Sequence, residues 1–153
     1  MKFSPSVMRR TAYTADDFYE LYIWRGQFVA EFMAVGIGGF IGACLRYLFS
    51  RMTSSFLLFP LGTLLSNVIA GFLIGFIIGL EQQSVKISKN AKLFMTTGFL
   101  GGLSTFSTFN IETIGLFTDG KYMLSVLNVA LNLGLSMCGA ALGLFCAKAL
   151  AAR

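Results

Sequence analysis

The stretch Gly98-Phe-Leu-Gly-Gly-Leu-Ser-Thr-Phe-Ser-Thr-Phe-Asn-Ile-Glu112 decides how this chain folds. It lies within a long apolar segment, yet it holds three glycines, a run of hydroxyl residues and one carboxylate. A helix that only crosses lipid is filled with Leu, Ile and Val. Irregular backbone survives in hydrocarbon only where protein buries it or where it lines a wet cavity. The stretch therefore predicts a broken membrane helix that lines a site for a small polar species.

Composition places the rest of the chain in a membrane as well. Of the 153 residues 56% are hydrophobic and only 12% are charged, and the mean hydropathy is +0.73. Apolar stretches over residues 29–50, 58–80, 91–117 and 122–150 each reach the roughly 20 residues that cross a bilayer. We predict an all-α membrane protein with four transmembrane helices in residues 29–150. Four short helices seldom enclose a pore alone, so we expect an oligomer.

Residues 1–28 differ in character and are predicted to be an N-terminal extension. Aromatic and basic residues recur there at helical spacing, which is typical of a short helix at the membrane interface. A tail without a function is the alternative.

The placement of positive charge predicts the orientation of the chain. With four spans, both termini and the loop 81–92 share one side of the membrane. That side carries nine of the twelve Lys and Arg residues, namely Lys2, Arg9, Arg10, Arg25, Lys86, Lys89, Lys92, Lys148 and Arg153. The other side carries Arg46, Arg51 and Lys121. Because Lys and Arg favour the cytoplasmic side, both termini are predicted to be cytoplasmic.

Several classes of chemistry are disfavoured by the residues that the chain lacks. It has no histidine and only seven Asp and Glu residues, which removes most hydrolytic triads and zinc sites. We therefore predict that it is not an enzyme. Cys44, Cys138 and Cys146 lie in the predicted spans without metal-ligand spacing, and we expect buried thiols that act as small apolar residues.

Small and polar residues recur at steps of four in three of the predicted helices. In the first, Gly38 and Gly42 form a face that lets another helix come close. In the second, the stripe contains Thr63, Asn67 and Gly71, and in the fourth it contains Asn128, Asn132 and Ser136. The amide of Asn67 has two readings: it donates to an anion, or it forms an interhelical hydrogen bond.

The third helix is predicted to break at Gly98, Gly101 and Gly102, because glycine weakens a helix and admits unusual backbone angles. Unwound carbonyls at membrane depth can hold a small cation. A close helix crossing through Gly98 and Gly102 is the alternative.

Beyond the glycines, Phe106 and Phe109 share a helical face, and their positive ring edges can favour an anion unless they only pack in a core. Ser107 and Thr108 add hydroxyl donors, and Glu112 is an acid within or near the membrane. Arg46 either reaches the interface or stands at the mouth of an anion route.

Together these motifs resemble the Fluc family of small fluoride channels. Three segments carry the resemblance: Gly39-x-x-Gly42-x-x-x-Arg46-Tyr47, then Gly62-Thr63-x-x-x-Asn67-x-x-x-Gly71, then Gly98-x-x-Gly101-Gly102-x-Ser104-Thr105-Phe106-Ser107-Thr108-Phe109. It covers most of residues 33–147. The resemblance implies an antiparallel dual-topology dimer, formed from two copies or from paired partners, with two fluoride pathways that export cytoplasmic fluoride and protect against its toxicity.

The resemblance also implies roles for single residues. Asn67 would donate to fluoride, Phe106 and Phe109 would present ring edges, and Ser107 and Thr108 would lie nearby. The carbonyls of Gly101 and Ser104 from both subunits would hold a structural sodium ion at the dimer centre. Glu112 matches an acid near the pathway and Arg46 a basic residue toward a vestibule. Asn128 stands where Tyr is common and Asn132 where Ser is common, so the resemblance leaves open which of them meets the ion.

Two other functions fit a small four-helix membrane protein. A proton-coupled multidrug exporter needs a carboxylate deep in an early helix, whereas Glu31 lies at the edge of the first span. A non-conducting accessory subunit would be inactive alone.

Overall fold

The computed structural model describes residues 15–53 and 59–151, and these residues form helices and turns without any strand. Helix α1 spans Ala15–Thr53, α2 spans Leu61–Gln82 and α5 spans Tyr122–Ala151. The third apolar stretch forms two shorter helices. We call residues 89–103 α3 and Phe106–Thr118 α4. Segments of α1, α2 and α5 are long and apolar enough to cross a membrane, and α3 with α4 makes the fourth, bent span. The predicted four-helix membrane fold is confirmed.

Helix α1 is longer than the membrane requires. Its 39 residues make a rod of about 58 Å, whereas the hydrocarbon core is about 30 Å thick. The part of residues 1–28 that the structure describes is continuous with the first span and is not a separate helix. Trp24, Phe28 and Phe32 stack along one face at centroid separations of 5.6 and 6.2 Å. Residues 1–14, including Lys2, Arg9 and Arg10, lie outside the described residues, as do residues 54–58 and Arg153.

Ion pairs mark one polar end of the bundle. Lys89, at the start of α3, pairs with Glu31 of α1. Lys92 pairs with Glu81, near the end of α2, at 2.8 Å. Glu31 therefore lies at the edge of the first span, as the sequence predicts.

Glycines bring the helices together in two pairs. In the first pair, α1 packs on α3, where a Cβ added to Gly98 would lie 2.7 Å from the carbonyl oxygen of Val35. In the second, α2 packs on α5, where a Cβ added to Gly71 would lie 2.5 Å from the carbonyl oxygen of Ser136. A side chain at either glycine would collide with backbone, so the predicted small-residue crossings are confirmed.

A tight turn at Gly120 joins α4 to α5. Gly120 has a φ of +76°, which favours glycine, and its N–H donates to the carbonyl oxygen of Phe117 at 3.0 Å. The N–H of Lys121 donates to the carbonyl oxygen of Leu116 at 2.9 Å, so two carbonyls in the last turn of α4 find partners in the turn.

The break in the third span lies elsewhere than predicted. Residues 94–103 are helical throughout, first as a π-helix over Phe94–Leu100 and then as an α-helical turn over Gly101–Leu103. The chain leaves the helix only at Ser104 and Thr105, whose ψ angles are 150° and 121°. The prediction of unwinding at the glycines was wrong, because Gly98 and Gly102 serve the close crossing with α1 instead.

The cysteines also differ from expectation. Cys44, Cys138 and Cys146 are all exposed on the single chain. A thiol on the outer surface of a membrane protein meets lipid, which is as apolar as a protein core, so burial is not needed to accommodate it.

Candidate ion-binding site at the helix break

Side chains from neighbouring helices form hydrogen bonds with the backbone at the break. Thr105 is the N-cap of α4, and its hydroxyl accepts from the N–H of Thr108 at 3.2 Å. The N–H of Thr105 itself donates to Oδ1 of Asn67 on α2 at 2.8 Å. On the other side of the break, Nε of Arg46 on α1 donates to the carbonyl oxygen of Gly102 at 3.1 Å. Backbone groups that a continuous helix would pair internally are thus paired with α1 and α2.

Asn67 stands at the centre of the polar contacts. Its Nδ2 donates to Oδ1 of Asn132 on α5 at 2.9 Å and makes a long contact of 3.4 Å with the carbonyl oxygen of Thr105. Asn67 therefore forms an interhelical hydrogen bond, and its NH2 group keeps a second, only weakly held proton that it can donate to an anion.

The asparagines of α5 continue the series. Nδ2 of Asn132 donates to Oδ1 of Asn128 at 2.9 Å, and Nδ2 of Asn128 donates to Oγ1 of Thr113 on α4 at 2.8 Å. Asn128 is 0% exposed and Asn132 is 4% exposed. Buried amides of this kind need hydrogen-bond partners, and these two find them in each other and in Thr113.

A cavity of about 370 Å³ lies against the break. Its walls combine apolar groups with a few polar ones: Asn67, Ala70, Gly71, Ile74, Thr96, Leu100, Gly101, Ser104, Thr105, Phe106, Phe109, Asn132, Leu133 and Ser136. None of the described residues that line it is charged. Such a cavity offers hydrogen-bond donors and ring edges to an ion without supplying a counter-charge.

Of the predicted site residues, this cavity brings together Asn67, Phe106, Phe109 and Asn132, with Gly101 and Ser104 at its edge. The two phenyl rings are 5.7 Å apart and tilted by 42°.

The two rings differ in exposure. Phe109 is buried, whereas Phe106 is 70% exposed on the single chain although it also lines the cavity.

Ser107 and Thr108 lie beside the cavity, in the first turn of α4. Oγ1 of Thr105 is 3.0 Å from the hydroxyl of Thr108 and 3.4 Å from that of Ser107. The first N–H groups of a helix have no partner inside it and carry partial positive charge. The start of α4 therefore adds an electropositive end to the break.

Glu112 belongs to a different cavity, one of about 310 Å³. Its Oε1 accepts from the hydroxyl of Thr63 at 2.7 Å, and its Oε2 is buried without a partner among the described residues. Pro60, Asp119 and Lys121 also line this space. Because Thr63 and Asn67 are four residues apart, one face of α2 carries the polar contacts of both cavities.

Gly101 and Ser104 lie where carbonyl oxygens can be free of helix hydrogen bonds. The N–H that would continue the helix to the carbonyl of Gly101 is that of Thr105, and it donates to Asn67 instead. Ser104 is outside the helix, in extended conformation, and both residues are exposed on the single chain. Carbonyl oxygens at a helix interruption are suitable ligands for sodium, so the residues present fit that ion.

Sequence reasoning missed some of the polar contacts. It did not anticipate Thr113, which ends the asparagine series, because nothing in the local sequence links residues 113 and 128. It gave Thr63 and Ser136 only as members of stripes. The hydroxyl of Ser136 is buried without a hydrogen-bond partner in the described part of the chain. Thr63 is four residues from Asn67, and Ser136 is four residues from Asn132. This spacing was the signal that could have marked Thr63 and Ser136 as parts of the polar cluster.

Known proteins resemble this chain over the same region. Residues 33–144 match the profile of a family described as "CrcB-like protein, Camphor Resistance (CrcB)". A Clostridium novyi protein named "Fluoride-specific ion channel FluC" is 50% identical over 111 residues, which are 71% of this chain and 87% of the relative.

Relatives from two further organisms give the same result. A protein of the same name from Pyrococcus furiosus is 45% identical over 102 residues, 67% of this chain and 83% of the relative. Another from Psychrobacter cryohalolentis is 40% identical over 116 residues, 75% of this chain and 94% of the relative. The match spans the four helices and the break, and this chain belongs to the CrcB-like family.

Proposed function

We propose that this chain is the subunit of a fluoride-selective channel, not an enzyme, in a cell membrane. The observation that carries the proposal is the uncharged cavity at the break, in which an amide donor and two phenyl rings meet. The relatives named as fluoride channels support it. A small anion that leaves water needs replacement donors, and Asn67, the ring edges of Phe106 and Phe109, and the hydroxyls of Ser107 and Thr108 supply them.

The direction of transport follows from elementary chemistry. Fluoride enters a cell as neutral HF, which is a weak acid, and dissociates at cytoplasmic pH. The trapped anion is then driven outward by the inside-negative membrane potential, at about 2.3 kcal/mol per charge for each 100 mV. A passive channel therefore exports fluoride and protects the cell from it.

The site is incomplete in a single chain. Ser104, Ser107 and Phe106 are exposed at or beside the cavity, although the break lies partway along the bent fourth span. Polar groups and irregular backbone facing lipid are unfavourable, so a second subunit is expected to cover them. We propose an antiparallel dimer in which the carbonyls of Gly101 and Ser104 from both subunits hold a structural sodium ion. That ion would supply a fixed positive charge at the dimer centre.

The orientation of the chain in the membrane bears on whether its partner is a second copy or a different chain. The excess of Lys and Arg beside the termini favours cytoplasmic ends, while an antiparallel dimer of identical chains needs both orientations. A dimer of two copies is our first proposal, and a pair of oppositely inserted partners is the second. Arg46 and Glu112 lie outside the cavity at the break; Arg46 is proposed to face a vestibule, and Glu112 is proposed to lie near the route.

The experiment is fluoride efflux from liposomes that contain the purified chain alone, followed with a fluoride electrode. We expect rapid efflux of fluoride, much slower efflux of chloride, and no requirement for a proton gradient. Inactivity alone, with activity restored by a second family member, would indicate a heterodimer. Efflux that stops without a proton gradient would instead indicate the exporter, a function disfavoured by the ion pair between Glu31 and Lys89 at the bundle edge.

A further inference from the structure

The hydrogen bonds at the break form one directed series, which we call the amide chain: Thr105, Asn67, Asn132, Asn128 and Thr113. It runs from the backbone N–H of the residue that precedes α4 to a side-chain hydroxyl within α4. Its four links measure 2.8, 2.9, 2.9 and 2.8 Å. Each asparagine accepts from the group before it and donates to the group after it.

Both ends of the amide chain fix its direction. The backbone N–H of Thr105 can only donate, so Asn67 must present its oxygen there and its NH2 to Asn132. At the far end, the hydroxyl of Thr113 donates its single proton to the carbonyl oxygen of Phe109 at 2.7 Å. Thr113 is therefore an acceptor, and Asn128 must give it an N–H. An asparagine turned the other way would set two donors or two acceptors against each other.

This direction leaves one N–H for an ion, and it leaves it on Asn67. The NH2 group of Asn132 is occupied by Asn128, through the side-chain oxygen at 2.9 Å and the carbonyl oxygen at 3.1 Å. Asn132 therefore turns an acceptor, not a donor, toward Asn67. Asn128 is fully buried and does not line the cavity. On Asn67 the second N–H has only the 3.4 Å contact with Thr105, far longer than the usual 2.9–3.0 Å.

We propose that Asn128 and Asn132 are positioning residues that fix the amide of Asn67, and that Asn67 alone among the three donates to the ion. The proposal rests on the proposed function and revises the expectation that Asn128 or Asn132 contacts fluoride. A donor that is already oriented loses less entropy when the ion arrives, so the amide chain lowers the barrier to entry.

The test uses Thr113, which is the last member of the amide chain and does not line the cavity. Thr113→Val removes the hydroxyl while keeping the shape, and leaves an N–H of Asn128 without an acceptor. Thr113→Ser keeps the hydroxyl and loses only a methyl group. Asn128→Leu interrupts the chain at a second place. Ser125→Ala is the matched control, because Ser125 donates to the backbone carbonyl of Thr113 at 2.9 Å and is outside the chain.

The readout separates the rate of one channel from the number of channels. In liposomes loaded so sparsely that most hold at most one channel, the extent of fluoride release counts the conducting assemblies. The rate in the conducting vesicles gives the unitary rate. A role in stability alone would change the extent and leave the unitary rate unchanged.

We expect Thr113→Val and Asn128→Leu to lower the unitary rate by about fivefold or more, the change that corresponds to ~1 kcal/mol. Thr113→Ser should retain most of the rate, and Ser125→Ala should leave it unchanged. If the wild type conducts and the Val and Ser variants of Thr113 have equal unitary rates, the role of the amide chain is overturned and the proposed function still stands. A wild-type chain that passes no fluoride, with or without a partner, would overturn the proposed function and this inference together.

Discussion

Replacing Gly102 by alanine tests whether backbone contact between α1 and α3 supports the break. An added Cβ would lie 2.5 Å from the carbonyl oxygen of Gly39 and 3.1 Å from the backbone nitrogen of Ala43. Ordinary contact begins at 3.4 Å, so the two helices would have to separate by about 0.9 Å. No flexible side chain stands at the contact to give way. The bond from Arg46 to the carbonyl of Gly102, now 3.1 Å, would lengthen beyond hydrogen-bond distance.

These two effects set the magnitude. Overpacking costs about 1–3 kcal/mol, and a hydrogen bond within a membrane bundle contributes about 1 kcal/mol. We therefore expect Gly102→Ala to lower the free energy of unfolding by roughly 2–4 kcal/mol, measured by denaturing the purified protein with SDS in mixed micelles. Gly26→Ala is the control, because a Cβ there meets no atom within 4 Å. Alanine should stabilise that helical position by about 1 kcal/mol.

A Gly102→Ala variant as stable as wild type would refute the packing argument. So would an equal loss of stability in both variants, because the cost would then come from removing glycine and not from the contact.

Four further substitutions address the site. Phe106→Ile or Phe109→Ile should reduce fluoride efflux without preventing assembly of the proposed dimer, since isoleucine fills space without a polarised ring edge; normal efflux from both variants would remove the ring edges from the mechanism. Asn67→Asp should reduce efflux by roughly 100-fold or more, because like charges a few ångströms apart repel by several kcal/mol in a poorly solvated site; if that variant conducts normally, Asn67 serves only the scaffold. Arg46→Met should lower the free energy of unfolding by about 1–2 kcal/mol in the SDS assay, since the carbonyl of Gly102 loses its donor, and an unchanged value would show that this bond is not needed.

Much of the fold could be predicted because membrane helices obey few rules. Apolar length identified the four spans, and the repeats Gly38-xxx-Gly42 and Gly98-xxx-Gly102 marked faces suited to close packing, which the structure brings together where α1 crosses α3. Each of these features depends on residues that are neighbours in sequence or repeat at helical spacing.

The place of the break could not be predicted in the same way. Glycine marks both flexible and closely packed positions, and local sequence does not distinguish them. The break depends on two long-range hydrogen bonds: Arg46 donates to Gly102, 56 residues away, and Asn67 accepts from Thr105, 38 residues away. For the site, sequence found Asn67 and the two phenylalanines. The hydrogen-bond order of the asparagines needed the structure, because it follows from the backbone N–H of Thr105.

The origin of the break has a consequence for biogenesis. Isolated in a bilayer, residues 89–118 would be most stable as one uninterrupted helix, because lipid offers no donor or acceptor to the freed backbone groups. Only after α1 and α2 lie alongside can the guanidinium and the carboxamide replace the lost intrahelical bonds. The permeation route is thus absent from the newly inserted segment and arises as the bundle assembles, so a nascent or misassembled subunit has no open path through which ions could leak.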